Sequence, residues 1–248
     1  MNQENEQENQ HVKQTKMQQP QLNIDLSQTT EEVCESCGNT TFTQVYKELG
    51  WSSHQKESVS GTGSILKNTE MLRGQLPKIC KAYNINKIVD IACGDFNWMK
   101  EIVHNFEFYR GVDIVEDLII SNKEKYDDLD NVEFLTADVI DDFNKCISGE
   151  SFDAIILKDV FVHFPNEYVK KVLASIGNSS IKYVFITHFN SIQSNYDIGE
   201  FNGWRPQNFT ISPWRIGNPI ESIPSPTEKY AWDGHAYTDK TLSLWKIT

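Results

Sequence analysis

The sequence predicts an α/β fold, a doubly wound and mostly parallel seven-stranded sheet with helices on both faces and a C-terminal antiparallel strand. Three observations carry this reading. From residue 85 onward, short β-rich runs alternate with helical patterns, the signature of βαβ units. Polar, Asp-bearing segments follow the first four runs directly, as they do where strands deliver ligand-binding loops at their carboxyl ends. A final apolar run, Leu242–Ile247, has no helix after it and reads as a strand that closes the sheet.

The strands are predicted at Ile88–Ala92, Tyr109–Ile114, Val132–Leu135, Phe152–Leu157 and Ile181–Thr187. Helices are predicted at Trp98–His104, Glu116–Tyr126 and Asn166–Ile176, the last with Pro165 at its start, where proline is well tolerated. Right-handed crossovers would stack these helices on both faces. Upstream, Ile65, Leu66, Met71, Leu72, Leu76, Ile79 and Cys80 recur at helical spacing between Ser64 and Tyr83, and Pro77 is expected to split this stretch into two helices. The closing strand is expected to pair with residues around Tyr230.

A chain of 248 residues fits one main domain. Residues 1–33 are Gln/Asn-rich, with too few apolar groups to offset the entropy of ordering, and read as a disordered tail. Residues 34–84 read as an N-terminal lid and helices, and 85–248 as the core. Within that core, residues 190–227 are rich in Asn, Ser, Pro, Gly and Trp without a period, which suits a structured lid.

Hydrophobic residues at 39% and aromatics at 11% support a packed interior, and no run approaches the ~20 apolar residues that span a bilayer. The net charge of -12 opposes capture by nucleic acid or anionic lipid, although a local basic groove stays open. Five cysteines without an N-terminal apolar signal run point to a reducing, cytoplasmic compartment. Cys34 and Cys37 form a C-x-x-C, but tetrahedral zinc needs four ligands and no second pair follows, so both are read as ordinary thiols.

The residues after each strand are the candidate ligand site. The first strand carries Asp90 and runs into Ala92, Gly94 and Asp95; the second ends at Asp113-Ile114; Asp138-Val139 follow the third; Lys158-Asp159 follow the fourth. Small residues at 92 and 94 admit close backbone approach. Asp113, about 20 residues beyond the turn, stands where an acid can accept both hydroxyls of a ribose, and Asp138 could then meet an adenine amino group. A single Asp at a strand end is more simply a helix cap, but four in register argue for a site.

In this order, the run from Lys87 to Asp159 resembles the motifs of class I S-adenosylmethionine-dependent methyltransferases, whose fold is Rossmann-like. The SGTGS stretch, Cys-Gly-Asp-Phe-Asn-Trp, Gly-Val-Asp-Ile-Val, Lys-Asp-x-x-x-His and Gly-Trp-Arg-Pro resemble a small subgroup of them, extending the likeness from about Trp51 to Trp245. The common Gly-x-Gly-x-Gly pattern is altered: Ala92 and Phe96 take the first and third glycine positions. This disfavours a generic dinucleotide reading.

The resemblance implies a core that binds S-adenosyl-L-methionine and releases S-adenosyl-L-homocysteine, with residues 190–227 as an acceptor-site insertion. It implies that Asp90 and Gly94 hold the methionyl part, Asp113 the ribose, and Asp138 with Val139 the adenine; Ala92, Asp95, Ile114 and Lys158 complete the set. An activated methyl donor leaves the protein to align a nucleophile and manage one proton. His163, with Asp159 orienting or charging it, is the candidate base for a hydroxyl acceptor, against a plainer reading as a helix-entry residue. His188 is the weaker alternative and His235 weaker still.

Asp159 with Asp138 could instead hold Mg²⁺, but a full oxygen-ligand set is missing, so no metal is expected. Trp51, Trp204, Arg205 and Asn208 are expected to line the acceptor pocket, with Glu57 and Ser58 closing it; packing of Trp204 and an internal ion pair for Arg205 are the alternatives. The expected activity is O-methylation of a small polar molecule or glycan, with nucleic acid disfavoured and no membrane partner. A protein or nucleic-acid N-methyltransferase and an inactive cofactor-binding scaffold stay open as rivals.

Overall fold

The computed structural model describes residues 37–48, 57–201, 203–226 and 236–247, with side chains of the first helix described from Thr41 onward. The tail at 1–33, Cys34, Trp51, Tyr230 and His235 lie outside the described residues. Helix α1 (Cys37–Lys47) precedes α2 (Glu70–Ala82). The alternating core follows as β1 (Lys87–Ile91), β2 (Phe108–Asp113), α3 (Glu116–Lys125), β3 (Val132–Thr136), α4 (Phe143–Ile147), β4 (Ala154–Leu157), α5 (Asn166–Gly177) and β5 (Tyr183–Phe189). β6 (Glu221–Pro224) and β7 (Lys240–Lys246) complete the sheet.

The seven strands lie in the order β3-β2-β1-β4-β5-β7-β6. β1 to β5 pair in parallel, and β7 runs antiparallel to both β5 and β6. Side chains alternate between faces with a period of two. Val89, Ile91, Ile155 and Leu157 therefore enter one core with α5 residues Val169, Val172, Leu173 and Ile176, while Ile88, Ala154 and Ile156 enter the other with α2 residues Leu72, Leu76 and Cys80. The strand order reverses between β1 and β4, a topological switch point of the kind at whose carboxyl ends open α/β sheets bind ligands.

The first five strands fall within two residues of their sequence-predicted bounds. Pro77 does not divide its helix: α2 runs through it, because Leu72, Leu76 and Cys80 bury one stripe on both sides of the proline and outweigh a lost backbone hydrogen bond. The break lies upstream instead, between a 3₁₀ turn at Thr62–Ser64 and Glu70.

Residues 98–104 form no α-helix but two 3₁₀ turns, Met99–Glu101 and Val103–Asn105, in which Asn105 Nδ2 bonds the Ile102 carbonyl at 2.8 Å. Tight turns let Trp98, Met99, Ile102, Val103 and Phe106 all reach the core within a short span. Among the described residues the partners of β7 are β5 and β6, so a strand emerges from the end of the segment read as irregular.

Candidate functional site

Beyond β1 the chain passes through three left-handed residues at alternate positions, Ala92 (φ 56), Gly94 (φ 60) and Phe96 (φ 58). Only one is glycine, so the other two conformations carry strain that surrounding structure must hold. Phe96 is held by its ring, fully buried with centroids of Tyr109, Tyr126 and Phe134 at 5.0, 5.0 and 5.1 Å. An aromatic anchor thus stands where glycine would supply conformational freedom. Ala92 is exposed at the head of the turn, and Asn122 Nδ2 donates to the Gly94 carbonyl at 2.8 Å.

Asp113, at the end of β2, accepts the N–H groups of Gly94 and Val115, both at 3.1 Å, and thereby ties the first turn to the second. Ile114 beside it is half-buried. Burial pushes the Asp113 carboxyl up to about 6 against these hydrogen bonds. Asp90 accepts the Tyr109 hydroxyl at 2.9 Å, yet burial pushes it up to about 7. Asp138 accepts the Ile140 N–H at 2.8 Å, burial raises its pKa, and Val139 is buried next to it.

In each of the three acids burial outweighs the hydrogen bonds that favour the charged form, and further hydroxyl or ammonium donors would stabilise that form.

Asp95 is placed differently. Its carboxylate accepts Ser58 Oγ at 3.1 Å and the Val59 N–H at 2.8 Å, so it is tied to the N-terminal segment. Glu57 accepts the Leu66 N–H at 2.6 Å and Asn97 Nδ2 at 2.8 Å, and these bonds lower its pKa. Glu57 and Ser58 thus lie against the turn that follows β1.

At the end of β4, Asp159 also adopts a left-handed conformation, φ 59. Its side chain meets Lys158 Nζ at 2.8 Å, Lys240 Nζ at 2.7 Å and Thr187 Oγ1 at 3.2 Å. Burial opposes its ionisation, but the two ammonium groups outweigh that and hold the carboxyl well below the usual range. Lys158 Nζ also lies 6.0 Å from the Trp98 ring centroid.

His163 Nδ1 is 2.8 Å from the Gly203 carbonyl. A carbonyl only accepts, so Nδ1 carries the hydrogen and Nε2 is the basic nitrogen. Burial lowers the imidazole pKa, with the Gly203 bond and the charge of Asp159 opposing it. A backbone carbonyl thus orients His163, and the charge of Asp159, itself bound by two lysines, acts on it.

Two predicted acceptor residues turn inward. Arg205 is fully buried and donates to the Phe164 carbonyl and to Asn166 Oδ1, both at 2.7 Å. Asn208 bonds the Ile192 carbonyl at 3.0 Å and accepts the Thr210 N–H at 2.9 Å. An irregular buried segment must satisfy its backbone polar groups without a ladder, and these side chains serve that end. Trp204 is half-buried, in ring contact with Phe189 at 6.0 Å and Tyr237 at 5.0 Å.

His188 is fully buried, accepting the Phe209 N–H at 3.1 Å and bonding Asn190 Oδ1 at 2.8 Å, which is the plainer of its two readings. Lys240 and Thr187 carried no local sequence signal, since each reaches its partner only through the fold; Gly203 opens the Gly-Trp-Arg-Pro element, but the contact of its carbonyl with His163 is likewise set by the fold.

Residues 88–179 match the family of the methyltransferase domain. No curated protein sequence matches the chain. Among solved structures, magnesium protoporphyrin IX methyltransferase (ChlM) from Synechocystis PCC 6803 with bound SAM is similar at a TM-score of 0.59 and 12% identity, over 88% of this chain and 100% of that one. The N-methyltransferase NodS from Bradyrhizobium japonicum WM9, in complex with S-adenosyl-L-homocysteine, is similar at 0.55 and 10%, over 85% and 98%. The methyltransferase domain of bacterial CtHen1 is similar at 0.52 and 15%, over 73% and 100%. At such identities the likeness is one of fold. Residues 88–179 match a methyltransferase domain, and the chain shares the fold of solved S-adenosylmethionine-dependent methyltransferases.

Proposed function

We propose that this enzyme methylates a hydroxyl group of a small polar molecule or saccharide in the cytoplasm, with His163 as the base. The observation that carries the reading is the Nδ1 contact with the Gly203 carbonyl, which fixes the tautomer and leaves Nε2 to take a proton. A lowered pKa keeps the ring neutral, the form a base requires. When bound, S-adenosylmethionine supplies an activated methyl group.

On this reading Asp90 and the Gly94 turn hold its methionyl end, Asp113 the ribose, and Asp138 with Val139 and Ile114 the adenine. Lys158 and Asp159 shape the floor beside His163. Trp204, partly exposed in the 190–227 segment, is the aromatic surface for the acceptor. Two ammonium groups already neutralise Asp159, which supports a metal-independent reaction. Three described cysteines, Cys80, Cys93 and Cys146, are buried free thiols, in keeping with a reducing compartment. Among the described residues no helix is long and apolar enough to cross a membrane.

Calorimetry with S-adenosylhomocysteine on the wild type and Asp113→Ala tests the donor half. Binding by the wild type that is lost in the variant supports it, whereas equal binding removes Asp113. Release of S-adenosylhomocysteine in the presence of polyol, sugar and hydroxy-acid panels tests the acceptor half. Turnover only with amines would overturn the hydroxyl assignment.

A further inference from the structure

Two buried ammonium groups share one carboxylate at the end of β4. The side chains of Lys158 and Lys240 are only 6% and 2% exposed, and both meet Asp159. Arg205, the other buried cation whose charge reaches His163, is answered by the charge of Asp197. Asp90 also feels Lys158, but burial pushes its carboxyl up to about 7, so it offsets the second lysine only in part. The turn beside His163 therefore holds an excess of positive charge, in a chain whose net charge is -12.

An ammonium carries three N–H donors. Lys240 sets its own against both oxygens of Asp159, at 2.7 and 2.9 Å. Among the described residues Lys158 has one hydrogen-bond acceptor, Asp159 Oδ2 at 2.8 Å. The Trp98 ring, 6.0 Å away, attracts the charge without taking a full hydrogen bond. Lys158 is thus shielded from bulk water with donors to spare, a costly state until an oxygen accepts from them.

The surroundings keep this ammonium within reach. Lys158, Asp159, His163, Gly203 and Trp204 are each partly exposed, so the cluster faces the same opening as the base. On the N-terminal side Gly63 comes over the pair: an added Cβ would stand 3.0 Å from Asp159 Oδ2 and 3.5 Å from Lys158 Nζ. Its φ is not left-handed, so what the glycine supplies is room beside Lys158. S-adenosylmethionine would bring a further cation, its sulfonium, while its own carboxylate and ammonium cancel. An anionic acceptor balances both charges, and the local field would draw it in against the charge of the whole chain.

We propose that Lys158, backed by Lys240, binds an anionic oxygen of the methyl acceptor, a carboxylate or phosphate carried on the same molecule as the reacting hydroxyl. This rests on the reading of the surface beside His163 as the acceptor site. It narrows the acceptor from polar molecules in general to anionic ones.

The test is calorimetry on the full chain saturated with S-adenosylhomocysteine, titrated with acetate or with inorganic phosphate against chloride at equal ionic strength. The wild type should bind at least one of the two, and the preferred one separates a carboxylate from a phosphate. Lys158→Gln should weaken that anion roughly 10-fold or more, the scale of a hydrogen bond between charged groups, and leave S-adenosylhomocysteine affinity unchanged. Lys158→Arg, which keeps the charge, should retain the anion. A wild type that binds neither anion overturns the proposal, as does a Lys158→Gln variant that binds the anion as well as the wild type. Equal loss of S-adenosylhomocysteine in that variant also overturns it, by assigning Lys158 to the donor. His163→Ala keeps both lysines and should bind the anion as the wild type does, so a wrong base assignment is read apart from a wrong anion site.

Discussion

Lys240 opens β7 and places its ammonium 2.7 Å from Asp159, the left-handed residue after β4. The two strands are not neighbours. β5 lies between them, pairing Lys240 with Phe189, and Thr187 of β5 bonds the same carboxylate at 3.2 Å. The antiparallel strand thus delivers a buried cation to the turn that precedes His163, and helps hold the left-handed conformation of Asp159.

Replacing that cation should therefore loosen the turn. Lys240→Met keeps the stem but leaves Asp159 with Lys158 and the Thr187 hydroxyl, and removal of one partner from a buried pair costs up to about 3–5 kcal/mol. Urea unfolding should show a lower midpoint, and turnover should fall through disorder at His163. An unchanged midpoint would mean that Lys158 suffices.

His163→Ala should preserve cofactor affinity and lower turnover by roughly 100-fold, the contribution of a general base. The pH profile carries the sharper outcome. Burial lowers the folded pKa, so the ring stays neutral until the pH falls below the ordinary value of about 6.5. Wild-type turnover should hold across pH 6.5–8 and decline only on further acidification; a limb centred above 7 would assign the titration to another group.

Arg205→Ala separates a scaffold from an acceptor contact. The guanidinium is fully buried and joins the Phe164 carbonyl to Asn166 at the start of α5. Truncation should lower stability by about 3 kcal/mol, through an unfilled space and orphaned acceptors. A rise in acceptor KM at unchanged melting temperature would restore the binding role that its Trp-Arg-Pro setting suggested.

The parallel strands were legible because Val, Ile and aromatic runs bounded by polar turns leave little choice of element, and the acids after them are local to each strand end. β6 was hidden for the opposite reason: Glu-Ser-Ile-Pro is short, and Pro224 is tolerable because β6 lies at the sheet edge. Pro77 misled because packing of Leu72, Leu76 and Cys80 overrides local propensity. Arg205 and Asn208 read as surface chemistry, since nothing in the sequence reports that the segment around them is buried. Lys240 was silent, its partner being set by register across an intervening strand.

The two acids of the donor turns predict an unusual pH dependence. Asp90 and Asp113 have folded pKa values raised to about 7 and about 6, above the unfolded value, so the folded chain binds more protons than the unfolded chain between those limits. Stability of the ligand-free protein should then rise as pH falls from 8 to 6.5, by on the order of 1 kcal/mol, most of it from Asp90. Below 6.5 the gain is opposed, because buried His163 and His188 have lowered pKa values and the unfolded state takes up their protons first. Asp90→Asn keeps an acceptor for the Tyr109 hydroxyl and removes the titration. Chemical denaturation at pH 8 and 6.5 should show the slope in the wild type and a more stable, flatter variant, and calorimetry should show the same variant binding S-adenosylmethionine more weakly. A variant as pH-dependent as the wild type would mean that Asp90 is ionised throughout, with its charge already balanced by Lys158.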